Sequence, residues 1–407
     1  MDKPKVRHGI EAIPVRYQGK QMILLRDRLG YSDRTLLVSP AWARVLALMD
    51  GTNSLRDIQA EIMRRTGELI YSDDIEKLVA QLDDCLFLEN DSFFKKVTEA
   101  VENYLKDPVR RAVHAGLSYP EDPEELKRFL EGFFTSGDHP IGLPETPVKH
   151  KKIMGLVVPH IDLRLGGQLY AMGYKYAYES VYPDTWIVIG TSHEPVEHHI
   201  ALTVKDFETP FGILACNREI CKEIMTRLPF DITDGEFNHA REHTVEFQAI
   251  FIKMFQPNAK IVPLVCSFSE GELREERERL NSVIEVLRDI LNQEKAVIIA
   301  SVDFAHIGPR YGDNYIPDKR SIESNLQDDR AICEALAAGD IKRFETLLWR
   351  DHERRKICGA GPLYVLANSM PPGVRGSVLG VSHGVVDDQN SFVTFATVAF
   401  WRRIDGV

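Results

Sequence analysis

Residues 153–167 read IMGLVVPHIDLRLGG, and this stretch contains the pattern that decides the fold of most of the chain. A mainly apolar run, 153–158, is followed by the tetrapeptide PHID and then by a pair of glycines that opens a predicted helix. Comparable apolar runs occupy residues 186–189, 261–265, 296–300 and 392–399. Helices are predicted over residues 166–180, 217–227, 243–255, 271–293, 321–337 and 360–369. Apolar runs separated by helices are typical of strands buried on both faces of a sheet. The sequence therefore predicts an α/β domain with a mixed, mostly parallel central sheet and helices on both faces.

Three of the predicted strands are followed closely by a histidine. His160 comes after the run at 153–158, His193 after the run at 186–189, and Asp303 and His306 after the run at 296–300. Open α/β sheets gather ligand-binding groups just beyond the carboxyl ends of their strands. A single histidine in such a place is usually structural, whereas three at equivalent places predict a shared site.

Two further segments fit such a site. The first, REHTVE at 241–246, places His243 at the start of a predicted helix with Glu246 on the same face, which an ordinary surface His–Glu pair would also explain. The second, ICGAGP at 357–362, places Cys358 in a glycine-rich turn before a helix. A cysteine near a helix N-terminus is expected to have a lowered pKa and to ligate metal as a thiolate. The alternative is a buried, inert thiol.

The first hundred residues read differently. Residues 12–26 predict a hairpin, three helices follow between residues 40 and 85, and residues 86–88 predict a short closing strand. These elements indicate a small winged-helix-like α+β domain over residues 1–91. An amphipathic linker helix is predicted over 92–107, and the α/β domain is expected over 108–407.

Composition narrows the function classes. The chain has 407 residues and a formal net charge of -11, which argues against nucleic acid as a partner. No apolar stretch approaches the ~20 residues needed to cross a bilayer, and the charged N-terminus does not resemble a signal peptide. The six cysteines form no CxxC pair and suit a reducing compartment. We expect a cytoplasmic protein with no membrane partner.

The larger part of the chain resembles the Memo family, also known as the B component of the AmmeMemoRadiSam system. The resemblance is carried, in the family's order, by the segments AVHAGLSYPEDPEELKRFL, VVPHIDLRLGG, IVIGTSHEP, TPFGILACN, EHTVEFQ, IVPLVCS, SVDFAHIG and ICGAGPLYVLAN, between residues 112 and 368. It implies the fold of class III extradiol (LigB-like) dioxygenases. It also implies a mononuclear metal pocket bound by His160, His193 and Cys358.

The same resemblance assigns the neighbouring residues. Asp303 and His306 are expected to line the pocket, and His243 matches the histidine of the family's EHxxE stretch. The chain departs from the family at residues 161–163, where an HAGY-type sequence is common, and at Gln248, where several members have a second histidine. These differences concern the shape of the pocket mouth.

The N-terminal segment resembles the PqqD-like family. The resemblance is carried by Met49-Asp50-Gly51, by LRDI at 55–58 and by LVAQLDDCLFL at 78–88. It implies a domain that binds the leader segment of a peptide along a strand edge and presents it to a radical-SAM enzyme. A generic winged helix used for packing or dimerisation is the alternative.

These features support three functional hypotheses. Two imidazoles and one thiolate leave a coordination position open, and the soft sulfur ligand points to copper or iron, with zinc as a further candidate. The first hypothesis is a metal-dependent oxidoreductase or dioxygenase-like enzyme, in which His306, Asp303 and His243 act as catalytic acid–base or orienting groups. The second is a non-enzymatic peptide- or protein-binding module, and the third is a copper-sequestering protein. Radical-SAM and AMMECR-type proteins are the expected partners.

Overall fold

The computed structural model describes residues 2–67, 69–137 and 140–404, without the side chains of residues 148 and 149. The chain divides into two compact units, Met1–Asp107 and Pro108–Val407. The elements of the first unit, in chain order, are β1 (Ile10–Tyr17), β2 (Lys20–Asp27), β3 (Thr35–Val38), α1 (Pro40–Leu46), α2 (Leu55–Thr66), α3 (Ser72–Asp84) and α4 (Asp91–Lys106).

The first unit is a small antiparallel sheet packed with helices. Its three strands are ordered β1-β2-β3, and β3 was not predicted. Helix α2 begins in a capping box between Ser54 and Asp57 and ends at Gly67, which adopts a left-handed conformation with φ 73°. The predicted closing strand at 86–88 is wrong, because this stretch begins in the turn after α3 and makes only an isolated bridge from Leu88 to Val6.

The second unit contains most of the secondary structure. Its elements are β4 (Val109–Arg110), α5 (Pro123–Thr135), β5 (Val148–Val158), α6 (Leu163–Tyr178), β6 (Ser180–Val181), β7 (Thr185–Thr191), β8 (Ile200–Leu202), β9 (Asp206–Thr209), β10 (Gly212–Cys216), α7 (Arg218–Arg227), α8 (His243–Phe255), β11 (Lys260–Cys266), α9 (Glu270–Glu275), α10 (Arg277–Asn292), β12 (Val297–Ser301), β13 (His306–Ile307), α11 (Lys319–Ala337), α12 (Ile341–Arg350), α13 (His352–Arg355), α14 (Ala360–Ser369), β14 (Arg375–Val385) and β15 (Phe392–Arg403), with short 3-10 helices at Glu197–His199, Glu236–Ala240 and Pro309–Tyr311.

One large mixed sheet organises this unit. Its strands run β13-β15-β5-β12-β7-β11-β10-β9-β4, with β14, β6 and β8 paired to β15, β5 and β11. The four central strands, β5, β12, β7 and β11, are parallel, whereas β15 and its neighbours are antiparallel. The predicted mixed, mostly parallel sheet is confirmed.

Both faces of the sheet are buried. Along β7, Ile187 and Ile189 contribute to one apolar cluster, which also takes residues from α7, α10 and α14, while Trp186 and Val188 contribute to a second cluster with α5, α6 and α8. Successive side chains of a strand point to opposite faces, so a strand covered on both sides must be apolar throughout. This explains the continuous apolar runs of the sequence and confirms helices on both faces.

Among the differences from the sequence-based expectation in this unit, two have a clear physical reason. The single helix expected over 271–293 is interrupted at Glu276, which has a non-helical φ of −104° and ψ of 15° between α9 and α10. Strand β14 was not predicted; most of its residues are only half-buried, so it lacks the continuous apolar signal. Within the described residues, no helix is long and apolar enough to cross a membrane.

Candidate metal centre

The carboxyl ends of three adjacent parallel strands place two predicted ligands side by side. Strand β12 lies between β5 and β7, and its last residue, Ser301, is in register with Val158 on one side and Gly190 on the other. The chain leaves β5 towards His160 and leaves β7 towards His193. The centroids of these two imidazole rings are 5.3 Å apart.

A third imidazole, from His243, joins this pair. His243 is the first residue of α8, and its ring centroid lies 5.5 Å from that of His160 and 5.1 Å from that of His193. One ring nitrogen from each of the three histidines lies within 4.8 Å of those of the other two, as a shared metal ion requires. His243, which was predicted as an acid–base group, is therefore close enough to the predicted ligands to share a metal ion with them.

The hydrogen bonds of the three rings determine which nitrogens remain available. Nδ1 of His160 lies 2.9 Å from the carbonyl oxygen of Ser301, which can only accept, so this nitrogen carries the proton. Nδ1 of His193 and Nδ1 of His243 each lie 3.1 Å from an oxygen of the Glu242 carboxylate. With Nδ1 engaged in this way, Nε2 is the nitrogen that each ring would offer to a metal ion, the arrangement found in metal-binding histidines.

Cys358 lies beside these nitrogens. Its Sγ is 3.3 Å from Nε2 of His160, and it also hydrogen-bonds with His193. The turn can approach β12 because position 359 is glycine. A Cβ there would lie 2.3 Å from Cβ of Val302 and 2.8 Å from the carbonyl oxygen of Asp303. The glycine-rich turn thus allows the close backbone approach that Cys358 needs.

The predicted lowering of the thiol pKa is wrong. Burial raises the pKa of Cys358 above its usual value, and the opposing effect of His193 is smaller. Loss of hydration disfavours the charged thiolate. The side chain is therefore a thiol in the metal-free protein, and metal binding would release its proton.

Asp303 lies next to both the backbone and the ring of His160. Its Oδ1 accepts hydrogen bonds from the backbone N–H groups of His160 and Ile161, at 3.1 and 3.2 Å, and its Oδ2 lies 3.6 Å from Nε2 of His160. Burial raises the pKa of Asp303 to about 7. This carboxyl group is therefore poised to gain or lose a proton near neutral pH.

His306 lies near the same centre with its ring held by the backbone. Its Nδ1 is 3.0 Å from the carbonyl oxygen of Phe304 and 3.1 Å from that of Lys356, which leaves Nε2 free. Burial lowers the pKa of His306 to about 4, and positive charge on the nearby His193 acts in the same direction. The imidazole is neutral at physiological pH and able to accept a proton.

Sequence reasoning missed two residues of the site. Glu242 contacts both His193 and His243. The segment EHTVEFQ gave no sign of this, because the only recognised pattern in it was the spacing between His243 and Glu246. His114 lies in the segment AVHAGLSY, and its ring centroid is 5.8 Å from that of His243, while its Nε2 is 2.9 Å from the carbonyl oxygen of Arg241. No predicted strand ends near His114, so only the resemblance marked its segment.

The chemistry of the donor set fits a metal ion. Burial and the neighbouring histidines lower the pKa of His160 well below its usual value, so its Nε2 lone pair is free. Burial opposes ionisation of Glu242, yet His193 holds the pKa of this carboxyl well below its usual range, so a negative charge lies next to the donors. Nitrogen donors with a thiol sulfur suit copper, zinc or iron better than hard cations.

Comparisons with known proteins match this chain to one protein family. The sequence profile of the family described as "Memo-like protein" matches residues 110–399. A MEMO1 family protein of Aquifex aeolicus is 33% identical over 362 residues, covering 88% of this chain and 88% of that protein. A MEMO1 family protein of Thermus thermophilus is 26% identical over 293 residues, covering 72% of this chain and 82% of that protein. Because the second unit begins only at Pro108, the 362-residue alignment extends into the N-terminal unit.

Proposed function

The chain belongs to the family of Memo-like proteins, and on that premise we propose that it is a mononuclear metal protein whose centre carries out redox chemistry on a small molecule or a peptide side chain. The observation that carries this proposal is the convergence of one ring nitrogen from each of His160, His193 and His243 within 4.8 Å, with the sulfur of Cys358 3.3 Å from Nε2 of His160. We propose His160, His193 and Cys358 as the ligands.

The donor set favours copper or iron, with zinc as a redox-inactive alternative. A bound copper or iron ion supplies one-electron redox chemistry and polarises a coordinated group. The chain supplies the rest. His160 is almost fully buried, whereas the His193 side chain is 36% exposed, so the centre opens to solvent on the His193 side. Asp303 and His306 hold and accept protons within the same pocket.

The experiment starts from full-length protein purified without chelators. Elemental analysis is expected to give one copper or iron ion per chain, and His160→Gln is expected to abolish this content. Oxygen consumption is then measured with catechols and with peptides as substrates. Protein that contains no metal and takes up none on titration would contradict the proposal.

Copper sequestration is the second candidate function, and one observation favours it. The ring nitrogens of three imidazoles lie together and the thiol of Cys358 lies beside that of His160, so more protein donors are near than an open catalytic site needs. This function predicts tight binding of reduced copper without oxygen consumption or peroxide formation. Turnover by the copper-loaded protein would decide for the enzyme.

We propose that a radical-SAM protein and an AMMECR-type protein act together with this chain, as the family resemblance implies. Such partners would generate or consume the oxidised side chain or small molecule. The measurement is affinity capture of the tagged full-length protein from its own cells, followed by mass spectrometry. Recovery of neither class, in cells that encode both, would contradict this part of the proposal.

For the N-terminal unit we propose peptide binding along a sheet edge. The strand order β1-β2-β3 leaves β1 and β3 as edge strands, and Leu37 on β3 is 37% exposed. An edge strand accepts an extended peptide through main-chain hydrogen bonds. Peptides encoded beside the gene are titrated into the full-length chain by calorimetry, and hydrogen exchange then locates them. Binding without added protection of β1 or β3 would contradict this proposal.

A further inference from the structure

Glu242 holds two of the histidines of the candidate metal centre through one carboxylate. It immediately precedes α8, and its side chain is only 7% exposed. Oε2 accepts hydrogen bonds from the backbone N–H of His193 at 3.0 Å and from its Nδ1 at 3.1 Å. Oε1 lies 3.1 Å from Nδ1 of His243 and accepts from the backbone N–H of Thr244 at 3.2 Å.

We propose that Glu242 is a positioning residue that presents Nε2 of both His193 and His243 to one metal ion, so that the centre has three nitrogen donors beside the sulfur of Cys358. The inference rests on the proposed function and extends it by one ligand, His243. Because the two rings share one carboxylate, they stack with an interplanar angle of 16° and a centroid separation of 5.1 Å. Such a set would hold the ion with four protein donors, and a substrate would have to bind as a fifth, as in metal sites that expand their coordination.

Helix capping alone does not explain Glu242. A cap needs one acceptor for the first free N–H groups, and Asn, Asp, Ser or Thr is the usual residue. Here the longer side chain reaches past the helix end, and each of its oxygens also contacts an imidazole nitrogen. The carboxylate therefore serves the two rings as well as the helix.

The helix end that carries Glu242 cannot move away from the strands. Oγ1 of Thr244 donates to the carbonyl oxygen of Thr191 at 2.9 Å. A Cβ at Gly190 would lie only 2.3 Å from Oγ1 of Thr244, so α8 packs directly on the backbone of β7. The distance from Glu242 to His193 is thus fixed by the fold, and the rings are oriented before a metal arrives.

The test uses Co(II) as the probe, because its visible bands report coordination number and its thiolate charge-transfer band reports Cys358. In full-length Glu242→Gln, we expect Co(II) to bind about 10- to 100-fold more weakly, the usual cost of losing the hydrogen-bond partner of a ligand. We also expect weaker d–d bands with the thiolate band retained, since the described hydrogen bonds of Glu242 do not reach Cys358. A purely structural role of Glu242 would not weaken the d–d bands while leaving the thiolate charge-transfer band unchanged.

Two variants complete the test. Glu242→Asp keeps a shorter carboxylate and is expected to recover part of the affinity and of the d–d intensity. Glu236→Gln removes a partly buried carboxylate that hydrogen-bonds with Thr203, outside the centre, and should leave Co(II) binding unchanged. Adding Glu242→Gln to His243→Gln should cost less than adding it to the wild type, because only His193 then remains to be oriented.

The outcomes separate the two claims. Wild-type affinity and spectrum in Glu242→Gln, or additive losses in the double variant, would overturn this inference while leaving the metal function intact. Absence of Co(II), copper, zinc and iron binding in the wild type would overturn the proposed function instead. If Glu242→Gln does not fold, the test is made with Glu242→Asp, whose carboxylate is too short to contact both rings. Wild-type Co(II) binding by that variant would overturn the inference.

Discussion

Nδ1 of His160 lies 2.9 Å from the carbonyl oxygen of Ser301, the last residue of the neighbouring strand β12. A candidate ligand that follows one strand is thus oriented by the backbone of the next. The contact requires β5 and β12 to end in register, which they do through the pairing of Val158 with Ser301. The orientation of His160 is therefore a property of the sheet and needs no dedicated side chain.

Cys358→Ser is expected to change metal preference more than fold. Serine keeps the size of the side chain but removes the soft sulfur donor, so affinity for Cu(I) should fall far more than affinity for Zn(II). The loss for Cu(I) should exceed the ~10- to 100-fold typical of an outer hydrogen-bond partner. Competition with chromogenic chelators measures both. Cys85→Ser, in the N-terminal unit, is the control; an equal fall for both metals would count against sulfur ligation.

Gly359→Ala is expected to displace Cys358. The added Cβ meets Cβ of Val302 at 2.3 Å and the carbonyl oxygen of Asp303 at 2.8 Å, and neither can move without distorting the exit from β12. Overpacking of this kind costs about 1–3 kcal/mol, and metal affinity should fall with it. Denaturant unfolding and Co(II) titration measure the two effects. Gly132→Ala in α5, where a Cβ has nothing within 4 Å, is the matched control and should not destabilise the protein.

Arg355→Met is expected to loosen the segment that carries Cys358. Arg355 is buried and forms an ion pair with Asp329 on α11, and its Nε donates to Asn325 Oδ1 at 2.8 Å. Burial raises the pKa of Asp329 to about 6, so removing its partner leaves a carboxylate poorly tolerated in the interior. The expected loss of unfolding free energy is about 3–5 kcal/mol at neutral pH.

The exposed pair between Arg350 and Asp328 provides the control for that measurement. Arg350 is 52% exposed, and Arg350→Met should cost no more than about 1 kcal/mol. A double variant, Arg355→Met with Asp329→Leu, should recover most of the lost stability, because no buried charge remains. Failure to recover would mean that the segment depends on Arg355 for packing and not for charge.

His239 is expected to make the fold acid-sensitive. Burial lowers its pKa from 6.5 to about 4, and its Nε2 lies 3.1 Å from the carbonyl oxygen of Ala201. A folded-state pKa below the unfolded value means that the unfolded chain binds the proton more readily. The contribution is therefore complete above 6.5 and is lost as the pH falls to about 4. This difference corresponds to about 3 kcal/mol.

The measurement is the free energy of unfolding as a function of pH, for the wild type and for His239→Gln. Glutamine keeps a donor for the Ala201 carbonyl oxygen but does not titrate. The variant should lose about 3 kcal/mol less stability than the wild type between pH 6.5 and 4. Parallel curves for the two proteins would show that His239 is not protonated on unfolding in this range.

The local apolar pattern of the sequence was enough to predict much of the fold and part of the candidate metal centre. The runs around Ile187 and Ile299 are apolar because both faces of their strands are buried, so the sheet could be predicted without coordinates. The same pattern predicted where the strands end, and His160 and His193 could therefore be predicted to share one site. Helix α8 was predicted over the same residues that it occupies, 243–255.

Other features had no local signal. In sequence, Glu242 does not differ from an exposed glutamate, and its contacts with the two rings arise because α8 starts next to the end of β7. The interruption at Glu276 also escaped prediction, since apolar residues continue at helical spacing on both sides of it. The pKa of Cys358 was predicted with the wrong sign because burial, which local sequence does not reveal, raises it.

The sequence by itself determined the architecture and the identity of the residues that leave the strands, because hydrophobic burial imposes a period that is visible along the chain. Tertiary structure alone decided that a ring nitrogen of His243 lies within 4.8 Å of those of His160 and His193, and that one carboxylate contacts Nδ1 of two of the three rings. Apart from the contact between the adjacent residues Glu242 and His243, those relationships join residues far apart in the chain. Distances of a few ångströms between side chains depend on register and helix placement, which the order of residues does not state.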